Sequence, residues 1–254
     1  MKKKILIAAG LALTILIIIV IVHLSTRPKG YIAFVIDDWG YNNRYIDIVA
    51  EIDRPLTIAI LPNLRYSRYV AEEIKKDNSI HDVILHLPLE SKTDLAAEID
   101  TIRCSMEEDE MLKILGNDIK GIPGIVGISN HQGSKATEDK RVMETVFKKL
   151  KEDDLFFLDS LTTPRSVCSE AARDIGIRYA KRDVFLDITD ETESEHFEAY
   201  IKKQIQKLTD TALKNGKAVG IGHNIEVTLN AIKDSIPEME KRRIKIVPLK
   251  KLVN

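Results

Sequence analysis

Residues 31–40 read YIAFVIDDWG, an uncharged apolar run that ends in two adjacent aspartates, Asp37 and Asp38. Apolar residues at successive positions are typical of a strand buried on both faces, as in the middle of a parallel sheet. Two carboxylates at the end of such a strand cost free energy unless positive charge compensates them. The segment therefore predicts a central parallel strand with a functional site at its carboxyl end.

The same pattern recurs along the chain. Short apolar runs alternate with longer amphipathic segments, which is typical of an α/β protein with a parallel sheet. Seven or eight such units predict an irregular α/β barrel over residues 30–254, and a doubly wound open sheet is the alternative. The further strand candidates are residues 56–61, 82–87, 124–129, 155–159, 178–187, 217–222 and 244–249.

The overall charge excludes two classes of protein. The 254 residues carry 38 Lys and Arg against 39 Asp and Glu, a net charge of −1, which argues against a basic nucleic-acid-binding protein and an acidic disordered chain. We expect no nucleic-acid partner. The two cysteines, Cys104 and Cys168, are too few for a disulfide framework, and we expect free or packed thiols.

The amino terminus carries a segment of a different kind. Residues 5–22 are uncharged and apolar, and they follow three lysines at positions 2–4. A run of this length is at the lower limit for crossing a bilayer, and the preceding lysines favour a cytoplasmic amino terminus. We expect residues 1–29 to form a cytoplasmic tip, one transmembrane signal-anchor helix and a linker, with the barrel domain outside the cytoplasm. A cleaved signal peptide and a secreted domain are the alternative.

Histidines and carboxylates gather where the predicted strands end. His86, His131 and His223 each fall at such an end, and Asp37, Asp38 and Asp159 do the same. Ligand sites in barrels and open α/β sheets collect at the carboxyl ends of the strands. Histidine and aspartate together suit Zn²⁺ and related divalent ions, so these positions predict a metal centre.

The ordered set of segments FVIDDWGYN, HLPLE, SNHQGS, FLDS and IGHN resembles the divergent polysaccharide deacetylase family, over roughly residues 30–253. The resemblance implies a distorted (β/α)7-type barrel. It also implies a hydrolase that removes N- or O-acetyl groups from polysaccharides with a divalent metal, often zinc. By the same resemblance, Asp37 is the general base, Asp38 and His86 are metal ligands, and His223 is the general acid.

Two segments depart from the pattern of the wider deacetylase superfamily. Its H-x-x-x-H motif has Glu90 in place of the second histidine, so either Glu90 or His131 completes the ligand set. We favour His131, because a strand-end histidine between Asn130 and a Gly-Ser pair has room to face an open site. The superfamily segment R-x-P-Y is missing, and FLDSLTTPRS stands near its place with Asp159, Ser160 and Arg165.

Three further features have two interpretations each. Trp39, the one tryptophan, is either a sugar-stacking platform or a core residue. Asn130, Asp159 and Ser160 are candidates either for alternative metal ligands or for substrate contacts. The acidic run that includes Asp187 and Asp190 is interpreted as a solvated loop and helix start rather than a second metal site.

As the resemblance implies, we expect a membrane-anchored, metal-dependent carbohydrate deacetylase that uses Zn²⁺ and whose partners are an extracytoplasmic polysaccharide and the membrane. A non-catalytic glycan-binding or envelope-organising protein on the same fold is the alternative. A metal-dependent phosphoesterase is less favoured, because no basic clamp for phosphate accompanies the carboxylates.

Overall fold

The computed structural model describes residues 27–76, 80–93, 97–190 and 194–254. The predicted membrane anchor at residues 5–22 lies outside these ranges. Within them, none of the helices combines the length and the apolar character needed to cross a bilayer.

Strands and helices alternate along the described chain. The strands are β1 (Gly30–Trp39), β2 (Leu56–Ile60), β3 (Asp82–Leu89), β4 (Ile125–Gln132), β5 (Phe156–Asp159), β6 (Tyr179–Lys181), β7 (Val184–Phe185), β8 (Lys217–His223) and β9 (Ile244–Ile246). The helices are α1 (Ile46–Glu51), α2 (Ser67–Ile74), α3 (Glu108–Gly121), α4 (Lys140–Glu152), α5 (Cys168–Ile175), α6 (Ser194–Asn215) and α7 (Glu226–Lys241). Short 3-10 helices cover Ala136–Glu138 and Leu249–Lys251.

Local sequence explains where several of these helices begin and end. The Asp139 carboxylate accepts a hydrogen bond from the Val142 backbone N–H and caps α4. Helix α5 ends at Gly176, whose φ of 78° is in the left-handed region that glycine tolerates.

The two cysteines, Cys104 and Cys168, are free thiols, as expected.

All the strands pair in parallel in one curled sheet. Their order is β6-β5-β4-β3-β2-β1-β8-β7, and β9 pairs with the amino-terminal end of β1. The structure therefore confirms an α/β fold with a parallel sheet, in the form of a half-barrel. The predicted strand at 178–187 is wrong in one respect, because it consists of two short strands, β6 and β7, that form the two ends of the sheet.

The residues between β6 and β7 change partner from one edge of the sheet to the other. The Arg182 N–H donates to the Asp159 carbonyl of β5, and the Asp183 N–H donates to the Val219 carbonyl of β8. One continuous segment thus contacts both edges, which curls the sheet and brings the ends of β1, β3, β4 and β8 to one rim.

The sheet is buried on both faces, as its uninterrupted apolar runs predicted. On β1, Ile32, Phe34 and Ile36 belong to the core beneath the helices, whereas Ala33 and Val35 belong to a second core inside the curl. This alternation follows from the two-residue period of a strand. The carboxy-terminal segment contributes further apolar residues to the inner core, including Val247, Leu249 and Leu252.

The contact between α6 and the start of β1 makes a prediction about Gly30. A Cβ atom at this position would lie 2.5 Å from the Ala212 carbonyl oxygen of α6, so Gly30→Ala forces two backbones apart. We expect the free energy of unfolding to fall by about 1–3 kcal/mol, measured by chemical denaturation.

Gly116→Ala in α3 is the matched control. No atom lies within 4 Å of the added Cβ there, so we expect a gain of about 0.5–1 kcal/mol from helix propensity. An equal effect of the two substitutions would show that α6 does not pack this closely on β1.

Candidate metal and catalytic site

The predicted site residues meet at the carboxyl rim of the sheet. Asp37 lies opposite His223 in the register of β1 and β8. Strands β3 and β4 lie on the other side of β1, beyond β2. His86 is in β3 and His131 is near the end of β4, where the register of β3 and β4 places His131 opposite Pro88. Four strands of the curled sheet therefore contribute to one site.

The backbone of the DDWG segment allows both aspartates to face the same place. Successive side chains of a strand point to opposite faces, so an ideal strand would separate Asp37 from Asp38. Here Asp38 has a φ of 64°, and the β1–β2 register shifts between Ile36 and Trp39. As a result His86 Nε2 lies 3.6 Å from Asp37 Oδ2 and 3.3 Å from Asp38 Oδ1.

Three side chains form a group of donor atoms suited to a metal ion. Asp38, His86 and His131 each offer one ligand atom, and these atoms all lie within 4.8 Å of one another. His131 Nδ1 is 3.1 Å from Asp38 Oδ1. The Asp38 Oδ1 atom is nevertheless buried without a hydrogen bond of acceptable geometry. Two ring nitrogens that crowd a carboxylate oxygen without a hydrogen bond fit an arrangement in which all three face a shared cation.

A neighbouring hydroxyl group orients one of the histidines. The Ser129 Oγ atom lies 2.8 Å from His86 Nδ1, on the adjacent strand β4. When His86 Nδ1 carries the proton and donates a hydrogen bond to this hydroxyl group, the lone pair of His86 Nε2 points towards Asp38. Two histidines and one carboxylate are a usual ligand set for a catalytic zinc ion with an open position, so the residues fit such a metal.

The charged side chains of this group shift one another's pKa values. Burial alone would raise the pKa of Asp38, but His131 and His86 outweigh it and hold that pKa well below its usual range. Burial alone would lower the pKa of His86, but Asp37 and Asp38 raise it. Asp38 is therefore an ionised carboxylate, as a metal ligand must be.

Asp37 has a different environment from its neighbour. It is 2% exposed, and its Oδ1 atom has no hydrogen-bond partner. Burial raises the pKa of Asp37, although His86 and His223 act in the opposite direction. A carboxylate with a raised pKa is a stronger base, which suits proton transfer.

His223 is held by a carboxylate that sequence reasoning assigned to a solvated loop. Its Nδ1 atom lies 2.7 Å from Asp187 Oδ1, and Asp187 Oδ2 accepts hydrogen bonds from the His223 backbone N–H and the Thr228 hydroxyl, each at 2.7 Å. Burial alone would lower the pKa of His223, but Asp187 raises it to about 9. The interpretation of Asp187 as solvated is therefore wrong, because the residue is buried behind His223.

Glu90 does not join the group of donor atoms. Its Oε2 atom accepts the Cys104 backbone N–H at 2.7 Å, and its Oε1 atom pairs with Lys135 Nζ at 2.7 Å. Both carboxylate oxygens are thus occupied in fixing the loop after β3. Of the two alternatives for the third donor, the structure brings His131 to the site and not Glu90.

Three candidate contact residues are engaged within the protein. The Asn130 side-chain oxygen accepts the Ser160 N–H at 2.8 Å, and the Ser160 hydroxyl donates to the Asn130 carbonyl at 2.9 Å, which joins the ends of β4 and β5. Asp159 accepts hydrogen bonds from the Leu161 N–H and the Ser166 hydroxyl at 2.7 and 2.6 Å. All three residues are buried, and their side-chain hydrogen bonds hold the ends of β4 and β5 and the loop after β5.

Trp39 belongs to the core. Its side chain is 0% exposed and packs beneath the helices, so the sugar-stacking interpretation is wrong for this residue. The first aromatic ring exposed at this rim is Tyr41, which is 50% exposed. Its hydroxyl group donates to the Glu98 carboxylate, and the charge of Asp38 acts on it.

Arg182 is a further residue that sequence reasoning missed. Its guanidinium group stacks on the Phe185 ring at 3.7 Å and donates to the Ser160 carbonyl at 2.8 Å. Burial lowers the pKa of Arg182, and Asp37 is among the carboxylates that oppose this effect. Arg165, the arginine noted in the sequence, instead lies 3.1 Å from Glu138 and is largely exposed.

Comparison of sequences relates the chain to one family. The model of the divergent polysaccharide deacetylase family matches residues 34–253. The uncharacterized protein YibQ of Escherichia coli is 34% identical over 207 residues, which cover 82% of this chain and 62% of that protein. An uncharacterized protein of Haemophilus influenzae is 30% identical over 213 residues, with coverage of 83% and 73%. The chain therefore spans less than two thirds of the length of the E. coli relative.

Solved structures share the fold. An uncharacterized protein of Agrobacterium tumefaciens superposes with a TM-score of 0.81 at 22% identity, over 89% of this chain and 90% of that one. The catalytic domain of peptidoglycan N-acetylglucosamine deacetylase from Eubacterium rectale has a TM-score of 0.52 at 16% identity, with coverage of 86% and 88%. A CE4 family pseudoenzyme from Bacillus anthracis has a TM-score of 0.54 at 14% identity, with coverage of 88% and 65%.

The Asp187–His223 pair makes a prediction about protonation. With its pKa raised to about 9, His223 carries a second proton at neutral pH and loses it as the pH rises through that value. Asp187→Asn removes the stabilising charge, so we expect the His223 pKa to fall in metal-free protein, measured by NMR titration of the imidazole. Asp190→Asn, in the same acidic run but exposed, is the control and should leave the titration unchanged. An unchanged titration in Asp187→Asn would contradict the assignment.

Proposed function

The chain belongs to the divergent polysaccharide deacetylase family, and we propose that it is a membrane-anchored, metal-dependent hydrolase that removes N- or O-acetyl groups from extracytoplasmic polysaccharide. One observation carries the proposal. The donor group Asp38, His86 and His131 lies beside a buried carboxylate, Asp37, and a carboxylate-held imidazole, His223. A ligand set, a base and an acid are the components that acetyl hydrolysis requires.

The ligand residues would hold a divalent ion, for which Zn²⁺ is our proposal. Such an ion supplies a Lewis acid that polarises the acetyl carbonyl and lowers the pKa of water. The side chain of His86 is 3% exposed, whereas those of Asp38 and His131 are 32% and 16% exposed. One side of the site is therefore open to a polymer, which suits a substrate too large to be enclosed.

The proton transfers fall to the other two residues. Asp37 accepts the proton of the attacking water, since its raised pKa makes it a competent base. His223 donates a proton to the departing amine or alcohol, and Asp187 holds its ring in the donating orientation. Because Asp37 and His223 are paired in the register of β1 and β8, the base and the acid are presented side by side.

Arg182 supports the loop that follows β5 in this scheme. Its partly buried guanidinium group donates hydrogen bonds to the Ser160 and Leu161 carbonyl groups. We assign it the fixing of the loop after β5 at this end of the sheet. The crossover between β6 and β7 thus supplies a cation that holds the loop after β5.

The amino-terminal sequence is the basis for the cellular location that we propose. We propose that residues 5–22 anchor the chain in the membrane with the lysines at 2–4 in the cytoplasm, so that the catalytic domain is extracytoplasmic. Cleavage of this segment would release the domain as a secreted protein. Acetylated polysaccharides of the envelope are the substrates within reach in either case.

The test of this function separates binding of the metal from chemistry. We expect about one Zn²⁺ per chain in the wild type and in Asp37→Asn, but weakened binding in Asp38→Asn and His86→Ala, measured by calorimetry. Acetate release from N-acetylglucosamine polymers should fall by about 100- to 10,000-fold in Asp37→Asn, because the base is lost.

Glu90→Gln is the control for metal binding, since both of its oxygens are used elsewhere. A wild-type chain that binds no zinc after reloading would contradict the proposal. A chain that binds zinc and glycan but releases no acetate from any acetylated polysaccharide would favour the non-catalytic alternative.

Tyr41 is our candidate for the sugar platform that Trp39 does not provide. Tyr41→Ala removes an exposed ring at the rim, so we expect KM for polysaccharide to rise about 3- to 10-fold with little change in kcat. Tyr41→Phe keeps the ring and should behave like the wild type. Tyr69→Ala removes an equally exposed ring from α2 and is the matched control. Equal KM values for the two alanine variants would rule out the platform.

A further inference from the structure

A row of basic and aromatic side chains crosses the opposite end of the sheet. The register of β8, β1 and β9 places Lys217 and Lys245 on either side of Tyr31. Residues directly opposite each other in neighbouring strands project from the same face. Both lysines are exposed, and Tyr31 is 39% exposed, whereas the next residue on β1, Ile32, is buried. We call Lys217, Tyr31 and Lys245 the basic row.

The basic row borders a groove. Together with Val247, Lys251 and Leu252 it lines a cavity of about 540 Å³ at the start of the strands. The Lys217 ammonium group donates to the Leu252 carbonyl at 2.9 Å and to the Asn254 side chain at 2.6 Å, which fixes the carboxy-terminal segment as one wall. The groove is therefore built by three strands and the carboxy terminus.

Two positive charges of this groove are uncompensated. In the described part of the chain, Lys245 and Lys251 have no carboxylate within ion-pair distance, whereas Lys250 beside them pairs with Asp82 at 2.8 Å. Asp183, which lines the adjoining cavity, is engaged by the Val219 N–H at 2.7 Å. An exposed aromatic ring beside Lys245, in a groove with apolar walls and a second uncompensated lysine, Lys251, is suited to an anionic and partly apolar surface.

The position of the groove relative to the amino terminus indicates which anionic surface would bind there. Strand β1 begins at Gly30, and only the seven residues 23–29 separate it from the apolar run at 5–22. Seven extended residues reach at most about 25 Å. Because the strands are parallel, the groove at the amino-terminal ends of the strands is opposite the rim that carries Asp38 and the histidines.

We propose that the groove docks on anionic phospholipid headgroups at the surface of the membrane that holds the anchor. This inference rests on the anchor in the proposed function. Lysines near an anionic bilayer each strengthen binding about fivefold, and tyrosine is enriched at the level of the headgroups. Docking in this way turns the catalytic rim away from the bilayer and towards the polysaccharide.

The experiment uses the full chain in nanodiscs of phosphatidylglycerol and phosphatidylcholine, compared with phosphatidylcholine alone. We expect amide hydrogen exchange over residues 243–252 to slow only with the anionic lipid. Lys245→Gln combined with Lys251→Gln should weaken the docking equilibrium about 30-fold. Lys113→Gln combined with Lys148→Gln is the control, since these exposed lysines lie on α3 and α4.

Three results would overturn headgroup docking. Exchange that is unchanged by phosphatidylglycerol, or slowed equally by phosphatidylcholine, overturns headgroup docking while leaving the anchor intact. A chain that does not enter nanodiscs overturns both the anchor and the docking.

Zinc binding by the double variant shows that its fold is retained. Loss of acetate release in every sample would contradict the proposed chemistry without affecting the result on lipid.

Discussion

Two adjacent carboxylates at the closed end of a buried strand are the constraint on which the site depends. Asp37 is buried and Asp38 is partly buried, and an uncompensated buried charge costs on the order of several kcal/mol. Compensation comes from His86, His131 and His223, on β3, β4 and β8. A different strand order would leave the carboxylates without these partners, so the chemistry of two residues restricts the arrangement of four strands.

The partners behind the histidines distinguish their roles. His86 has a neutral hydroxyl group, that of Ser129, at its second nitrogen, which leaves the other nitrogen available as a ligand. His223 has the carboxylate of Asp187 there, which favours the protonated ring. In the proposed mechanism, histidine thus serves as a ligand in one place and as an acid in another, according to the group that its second nitrogen contacts.

Residues at strand ends could be predicted from the sequence, because the apolar runs locate those ends. Asp38, His86 and His131 were found in this way, and parallel strands bring them together. Asp187 could not be found, since it begins an acidic stretch and its burial depends on the pairing of β7 with β8. The division of residues 178–187 into two strands has the same origin, because a change of partner is set by packing over long sequence distances. The burial of Trp39 is likewise a tertiary effect.

The central claim is that Asp38, His86 and His131 hold a metal ion beside Asp37. Anomalous X-ray diffraction at the zinc edge, on crystals of the zinc-loaded protein, tests it most directly. We expect one peak at about 2.0–2.2 Å from Asp38 Oδ1, His86 Nε2 and His131 Nδ1. A peak bound by Glu90 instead of His131, or no peak at the rim of the sheet, would contradict it.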